Sequence, residues 1–327
     1  MKTETPIFRL GLIGFSDREV QLLRSGVARY SGVEWQCGQP EGADAWLVNG
    51  ARVARSVGST VRVIARNAAE GGTALMVDIS SRPTAIAAPV PQVLQGPETR
   101  FFDLRKTETL LTCLAAFDRE LAPLKRSFWI AANLASSEIL VGKAAYELRA
   151  GEQLLAAADM KGKVFVLPEL TEQQLDQAEW KHRARKTVKA PEDFEQHLLA
   201  EMLWIYTTRT RRELLPERYF DSQIYLRRPP RVRAELLEDL HLRVIRELAA
   251  APANLAELVK RLAVKKSPLV RALAALYYVG SITANPERAW AASAQQSSWA
   301  SRAGAFEDGA GALRAARTGQ PSTTPLL

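Results

Sequence analysis

The chain has 327 residues, is 47% hydrophobic and carries a formal net charge of +8. That length exceeds one ordinary domain, so two or three cores are expected. Two cysteines, Cys37 and Cys113, are too few for a disulfide framework or a zinc site. The apolar run from Ile7 to Phe15 is broken by Arg9 and lacks a small-residue cleavage site, which excludes a signal peptide or membrane span and points to a reducing, cytoplasmic setting.

Residues 7–14 read as a buried strand. Ser16 and Glu19 form a capping box, and the helix that follows places Val20, Leu23, Val27 and Tyr30 on one face. Val33 to Cys37, Ala43 to Val48 and the run 74–80 read as further strands, and Lys106 to Leu121 as a closing helix. Strands alternating with helices predict a parallel, flavodoxin-like α/β sheet over residues 1–122.

This layout resembles the receiver domains of two-component response regulators. Laid against that family, the acid pair falls on Gly14 and Phe15, and the phosphoacceptor position on Asn49. The hydroxyl falls on Ser80 and the Lys-Pro on Gly96-Pro97. An amide cannot form an acyl phosphate, and without the acids no Mg²⁺ site exists. The resemblance therefore implies a degenerate receiver that works without phosphorylation.

From Pro123 to residue 210 a small antiparallel α+β domain is expected. Its strands are read in residues 127–136, 144–151, 153–160 and 163–170. Thr171 and Gln174 form a capping box for a helix toward Trp180. Pro191 opens a longer helix with Phe194, Leu198, Met202, Ile205 and Tyr206 on one stripe.

Residues 211–234 read as an arginine-rich connector. The span 207–233 holds eight arginines against Glu213, Glu217 and Asp221, and Pro229-Pro230 stiffens its end. Arginine forks suit phosphate, which makes Arg209, Arg212, Arg227, Arg228, Arg231 and Arg233 candidate anion-binding residues. The bland alternative is a solvated surface paired to the three local acids.

Residues 235–290 carry three amphipathic helices and a short β-prone segment. Asn254 and Glu257 cap the second helix, Ser267 and Pro268 open the third, and Gly280 closes it. The run LAELVKRLAVKKSPLVRALAALYYVGSIT resembles the winged helix-turn-helix domains of bacterial regulators. That family reads DNA with its third helix, so the resemblance implies contacts by Lys265, Lys266, Ser267 and Arg271. Beyond Arg271 the third helix offers Leu, Val, Ala and Tyr, which lack the donors and acceptors that base readout needs. Residues 291–327, rich in Ala, Ser and Gly, read as a disordered tail.

No phosphate loop, zinc spacing or nucleophile elbow is present, so no enzyme, metal or cofactor is expected. The expected function is a non-enzymatic, DNA-binding transcriptional regulator. The alternative is a signalling adaptor whose winged helix contacts a protein, with a small anionic ligand on the arginines. No membrane partner is expected, and the sequence sets no oligomeric state.

Overall fold

The computed structural model describes residues 4–40, 42–54, 60–63, 75–78, 86–88, 99–137, 144–183 and 190–290. The chain is mixed α/β. It divides into two compact units, residues 1–213 with 232–238 and residues 214–231 with 239–327. The expected connector thus splits between them. No helix among the described residues is long and apolar enough to cross a membrane.

The first unit opens with β1 (Ile7–Ile13), α1 (Asp17–Val27), β2 (Glu34–Gly38) and β3 (Ala45–Val48). Strands β4 (Val53–Ala54), β5 (Thr60–Val63) and β6 (Leu75–Asp78) then form a separate antiparallel sheet. Within the run 74–80, expected as the fourth parallel strand, Leu75–Asp78 belongs to that sheet. It pairs with the strand just before it in sequence, which needs no helical crossover.

The fourth and fifth parallel positions go to β7 (Ile86–Ala88) and β8 (Thr99–Phe101). The resulting order, β2-β1-β3-β7-β8, is parallel throughout and matches the 2-1-3-4-5 order of doubly wound sheets. α1 and α2 (Thr107–Glu120) cover one face. Leu23, Val27, Leu110, Leu114 and Phe117 close there over Phe8, Leu10, Trp35 and Leu47. Cys113 is buried in the same core and its thiol is pushed up to about 11 by burial, while Cys37 is half-buried.

Residues 127–136 form no strand. They lie in α3 (Ala122–Ser136), which starts where Leu121 ends α2 and has Pro123 in its first turn. Alanine-rich composition and burial of Ser127, Ile130, Ala131 and Leu134 fit a helical stripe.

The antiparallel sheet is otherwise as expected in its first three strands: β9 (Ala145–Ala150), β10 (Gln153–Ala158) and β11 (Lys163–Val166). Two further strands were unforeseen. The Thr171 capping box does start a helix, but α4 (Glu172–Asp176) is short, and Trp180 falls in β12 (Ala178–Arg183) on the edge beside β9. The stretch after Pro191 forms β13 (Glu195–Leu198) against β11 before α5 (Leu199–Arg209) begins. In both cases a free strand edge outweighed local helix signals. α5 packs on α3, with Phe128 edge-on to Tyr206 at 5.3 Å between centroids.

The second unit contains α6 (Arg218–Asp221), β14 (Tyr225–Leu226), α7 (Asp239–Ala250), α8 (Leu255–Leu262), α9 (Lys266–Tyr278) and β15 (Ile282–Thr283). α7 begins later than expected because Ala234–Leu236 makes a 3₁₀ turn. Asn254 and Glu257 form the capping box of α8. The N-cap of α9 is Lys265, not Ser267, so Pro268 stands in the first turn, where a missing N–H is still tolerated. Gly280 follows the C-cap at φ +69°, as expected for a left-handed helix stop. β15 pairs antiparallel with β14, and Ile224 bridges to Ala253.

Candidate functional site

In a doubly wound sheet, ligands gather outside the carboxyl ends of the strands where the order reverses. Here that point lies between β1 and β3. Asn49 continues the pairing, its N–H donating to the Ile13 carbonyl at 2.9 Å. It is buried, and its Oδ1 accepts the Ala51 N–H at 3.2 Å.

One helical turn further on, Arg52 reaches back. Its Nη1 donates to the Gly14 carbonyl at 2.8 Å, and its Nη2 pairs with Glu19 Oε2 at 2.9 Å. The same oxygen accepts the Ser16 N–H and hydroxyl, both at 2.7 Å. Burial pushes the Glu19 carboxyl up, but the Ser16 donors and Arg52 together hold it below the ordinary carboxylate value. A guanidinium, only 8% exposed, therefore lies against the β1 end where the resemblance put two acids and a metal. The sequence reading missed Arg52. Its signal was an arginine three residues past Asn49.

The fifth-strand landmark also moves. β8 ends at Phe101 and is followed by Phe102 and Asp103, so Gly96-Pro97 precedes the strand it was meant to follow. Ser80 and Gly96-Pro97 lie outside the described residues.

The candidate anion-binding residues are divided between the two units, and those of the first unit are paired to carboxylates. Arg209 is committed to Asp44 by two 2.6 Å bonds and stacks on Phe8 at 5.4 Å. Arg212 pairs with Glu4 at 3.1 Å, and Arg233 with Glu201 at 3.0 Å. Arg211 pairs with Glu34 beside an open cleft of about 750 Å³ that Trp35 also lines. None of these partners is Glu213, Glu217 or Asp221, the local acids named in the bland alternative. The real partners lie far away in sequence, Asp44 by 165 residues, where no local pattern could reveal them.

In the second unit the residues lie at two ends of α9. Lys265 and Ser267 are exposed at its N-terminal end, where Lys266 lies 5.2 Å over the Phe220 ring. Arg227, Arg228 and Arg231 belong to its other end, where Arg228 Nη2 donates to the Val279 carbonyl at 3.1 Å. Thirteen residues of helix separate the groups by about 20 Å.

Past its exposed first turn, α9 is enclosed. Leu269, Val270, Ala272, Leu273, Ala274, Ala275 and Leu276 are all buried, and Arg271 is half-buried. α6 adds to the enclosure, since Tyr219 packs edge-on against Tyr277 at 5.3 Å. Among the described residues no group of three or more His, Cys, Asp or Glu side chains could hold a metal ion.

In comparisons with protein-family models, curated proteins and solved structures, nothing matches the chain.

Proposed function

We propose that this is a non-enzymatic regulatory adaptor: a degenerate receiver-like first unit joined to a winged-helix-type second unit that contacts a protein. One observation carries the choice over DNA reading, the enclosure of α9. A helix that reads the major groove must present polar side chains on an open face, and base recognition rests on Arg, Lys, Asn or Gln forks. Past its exposed first turn, α9 buries Leu269, Val270 and residues 272–276 and leaves Arg271 as its one charged side chain there. The first unit contributes no phosphoryl chemistry in this reading. Asn49 replaces the acceptor carboxylate, and Arg52 supplies internally the positive charge that a metal would bring.

The wing is incomplete in a way that fits contact with protein better than with DNA. β15 is paired by β14, which comes from upstream of the helices, and Asn285 turns the chain into a 3₁₀ turn immediately after it. A second reading, a DNA-binding regulator, is favoured by the exposure of Lys265 and Ser267 at the start of α9. Competition of a labelled duplex by unrelated duplexes at fixed salt separates the two. The adaptor reading expects every competitor to act alike, and a strongly preferred competitor would overturn it.

A further inference from the structure

We infer that Arg227, Arg228 and Arg231 form a receptor for a phosphate monoester at the C-terminal end of α9. The inference is independent of how α9 is read, because the site lies at the far end of that helix from Lys265 and Ser267.

The pairing of β14 with β15 builds the site. Leu226 stands opposite Ile282, and just beyond them the backbone N–H groups of Arg227 and Arg228 both donate to the Ser281 carbonyl, at 2.8 and 3.4 Å. Both side chains are thereby brought over Gly280. Arg228 Nη2 lies 3.1 Å, and Arg227 Nη1 3.7 Å, from the point where a Gly280 Cβ would stand. Two guanidinium forks are neighbours there because the residue beneath them has no side chain. Pro229 and Pro230 fix the next two φ angles, which limits where Arg231 can go. Burial first, then the charges of Arg231 and Arg227, push the Arg228 pKa below its ordinary value, so the three cations feel one another.

Arg228 has an evident structural task in capping the Val279 carbonyl. That task does not use up the charge. A helix C-terminus carries roughly half a negative charge, against three guanidinium groups. Among the described residues no carboxylate pairs with any of the three, whereas Arg209, Arg211, Arg212 and Arg233 each have one. A surplus of more than two positive charges remains. A phosphate monoester carries about −1.5 to −2 at neutral pH and offers oxygens that arginine forks grip bidentately. A carboxylate or phosphodiester, with one negative charge, leaves more than half the surplus unmet.

Two polar groups here also lack partners. Arg228 Nε is shielded from water without a hydrogen bond, and Ser281 is fully buried with an unpartnered hydroxyl. Buried polar groups are ordinarily satisfied, so both mark a place the fold alone does not complete.

The test uses the full-length protein and phenyl phosphate as probe, followed through the arginine Nε–H signals at constant ionic strength, with sodium chloride as control. The expected result is a saturable shift of the Arg228 Nε–H signal, weakened about tenfold or more in Arg227→Ala/Arg231→Ala. Arg227→Lys/Arg231→Lys, which keeps charge but loses the forks, should also weaken it, and serves if the alanine variant does not fold. AMP and a phosphoserine peptide run in parallel arms, and the tighter one identifies whether a nucleotide or a protein bears the phosphate. Three results would overturn the inference: no saturable shift, an equal response to chloride, or affinity unchanged in both variants. Tighter binding of generic duplex DNA at these arginines would also overturn it, by making the site a phosphodiester contact.

Discussion

Arg52 and Glu19 form a 2.9 Å ion pair at the carboxyl end of β1, and both side chains are largely buried, 8% and 17% exposed. A fixed internal cation thus closes the point where a doubly wound sheet ordinarily opens to a ligand.

The first prediction follows directly. Incubation with a small phosphodonor and Mg²⁺ should leave the intact mass unchanged, and Asn49→Asp should not restore phosphorylation. The carboxylate would be present, but Gly14 and Phe15 still supply no acid for the metal, and Arg52 repels it. A phosphate adduct on the Asn49→Asp protein would show that Arg52 vacates the site.

Acid should reveal the same pair through stability. Glu19 is held below the ordinary value despite its burial, by the Ser16 donors and Arg52. Glu147 is held low chiefly by its bond to Arg183, against burial, with help from Arg149. A carboxyl depressed in the folded state contributes stability above its unfolded pKa and loses it as pH falls through the folded pKa. Stability should therefore be flat at neutral pH and fall below about pH 4.5. Glu19→Gln and Glu147→Gln should each flatten that acid limb in denaturant melts taken from about pH 3 to about pH 7. An unchanged limb in both would contradict the assignment.

Asp44 and Arg209 tie distant parts of the first unit together, with side chains 6% and 14% exposed. Asp44 also accepts the Arg9 N–H at 2.8 Å. Breaking a buried pair by removing one partner costs about 3–5 kcal/mol. Arg209→Ala should lose that much in urea unfolding, and Arg209→Lys less, because the charge survives without the fork. A loss under about 0.5 kcal/mol would place Arg209 among ordinary surface charges.

Two left-handed residues of the second unit give opposite expectations. Gly280 at φ +69° has Arg228 Nη2 3.1 Å from its missing Cβ, so Gly280→Val should cost roughly 1 kcal/mol or more. Ala263, at φ 52° after α8, already bears that strain, and Ala263→Gly should stabilise by about 0.5–1 kcal/mol. Thermal melts of the intact protein check both signs.

Local signals carried the sequence reading where they acted alone. The Asn254–Glu257 and Thr171–Gln174 boxes, the Gly280 stop and the parallel strands around β1 were legible because capping and turn chemistry act within a few residues. The reading failed where a distant partner decided. Glu195–Leu198 became a strand because the β11 edge was free, and α3 replaced an expected strand because its stripe packs on α5. At the candidate sites, the arginines were visible by name but their carboxylates were not. Glu4, Glu34, Asp44 and Glu201 lie too far off in sequence to be paired by eye, and only the fold separates the neutralised arginines from Arg227, Arg228 and Arg231.

The most direct test of the proposed adaptor role is the spread of affinities of the intact protein over a library of random duplexes at one stated salt concentration. A true base reader loses about 1–3 kcal/mol per mismatched pair, which spreads such a library over tenfold or more. With α9 buried past its first turn and Arg271 its one charged side chain beyond that turn, the account predicts affinities that agree within about threefold across the library, or no binding at all. A family of related sequences bound tenfold or more above the rest, with that preference lost in Arg271→Ala, would contradict it.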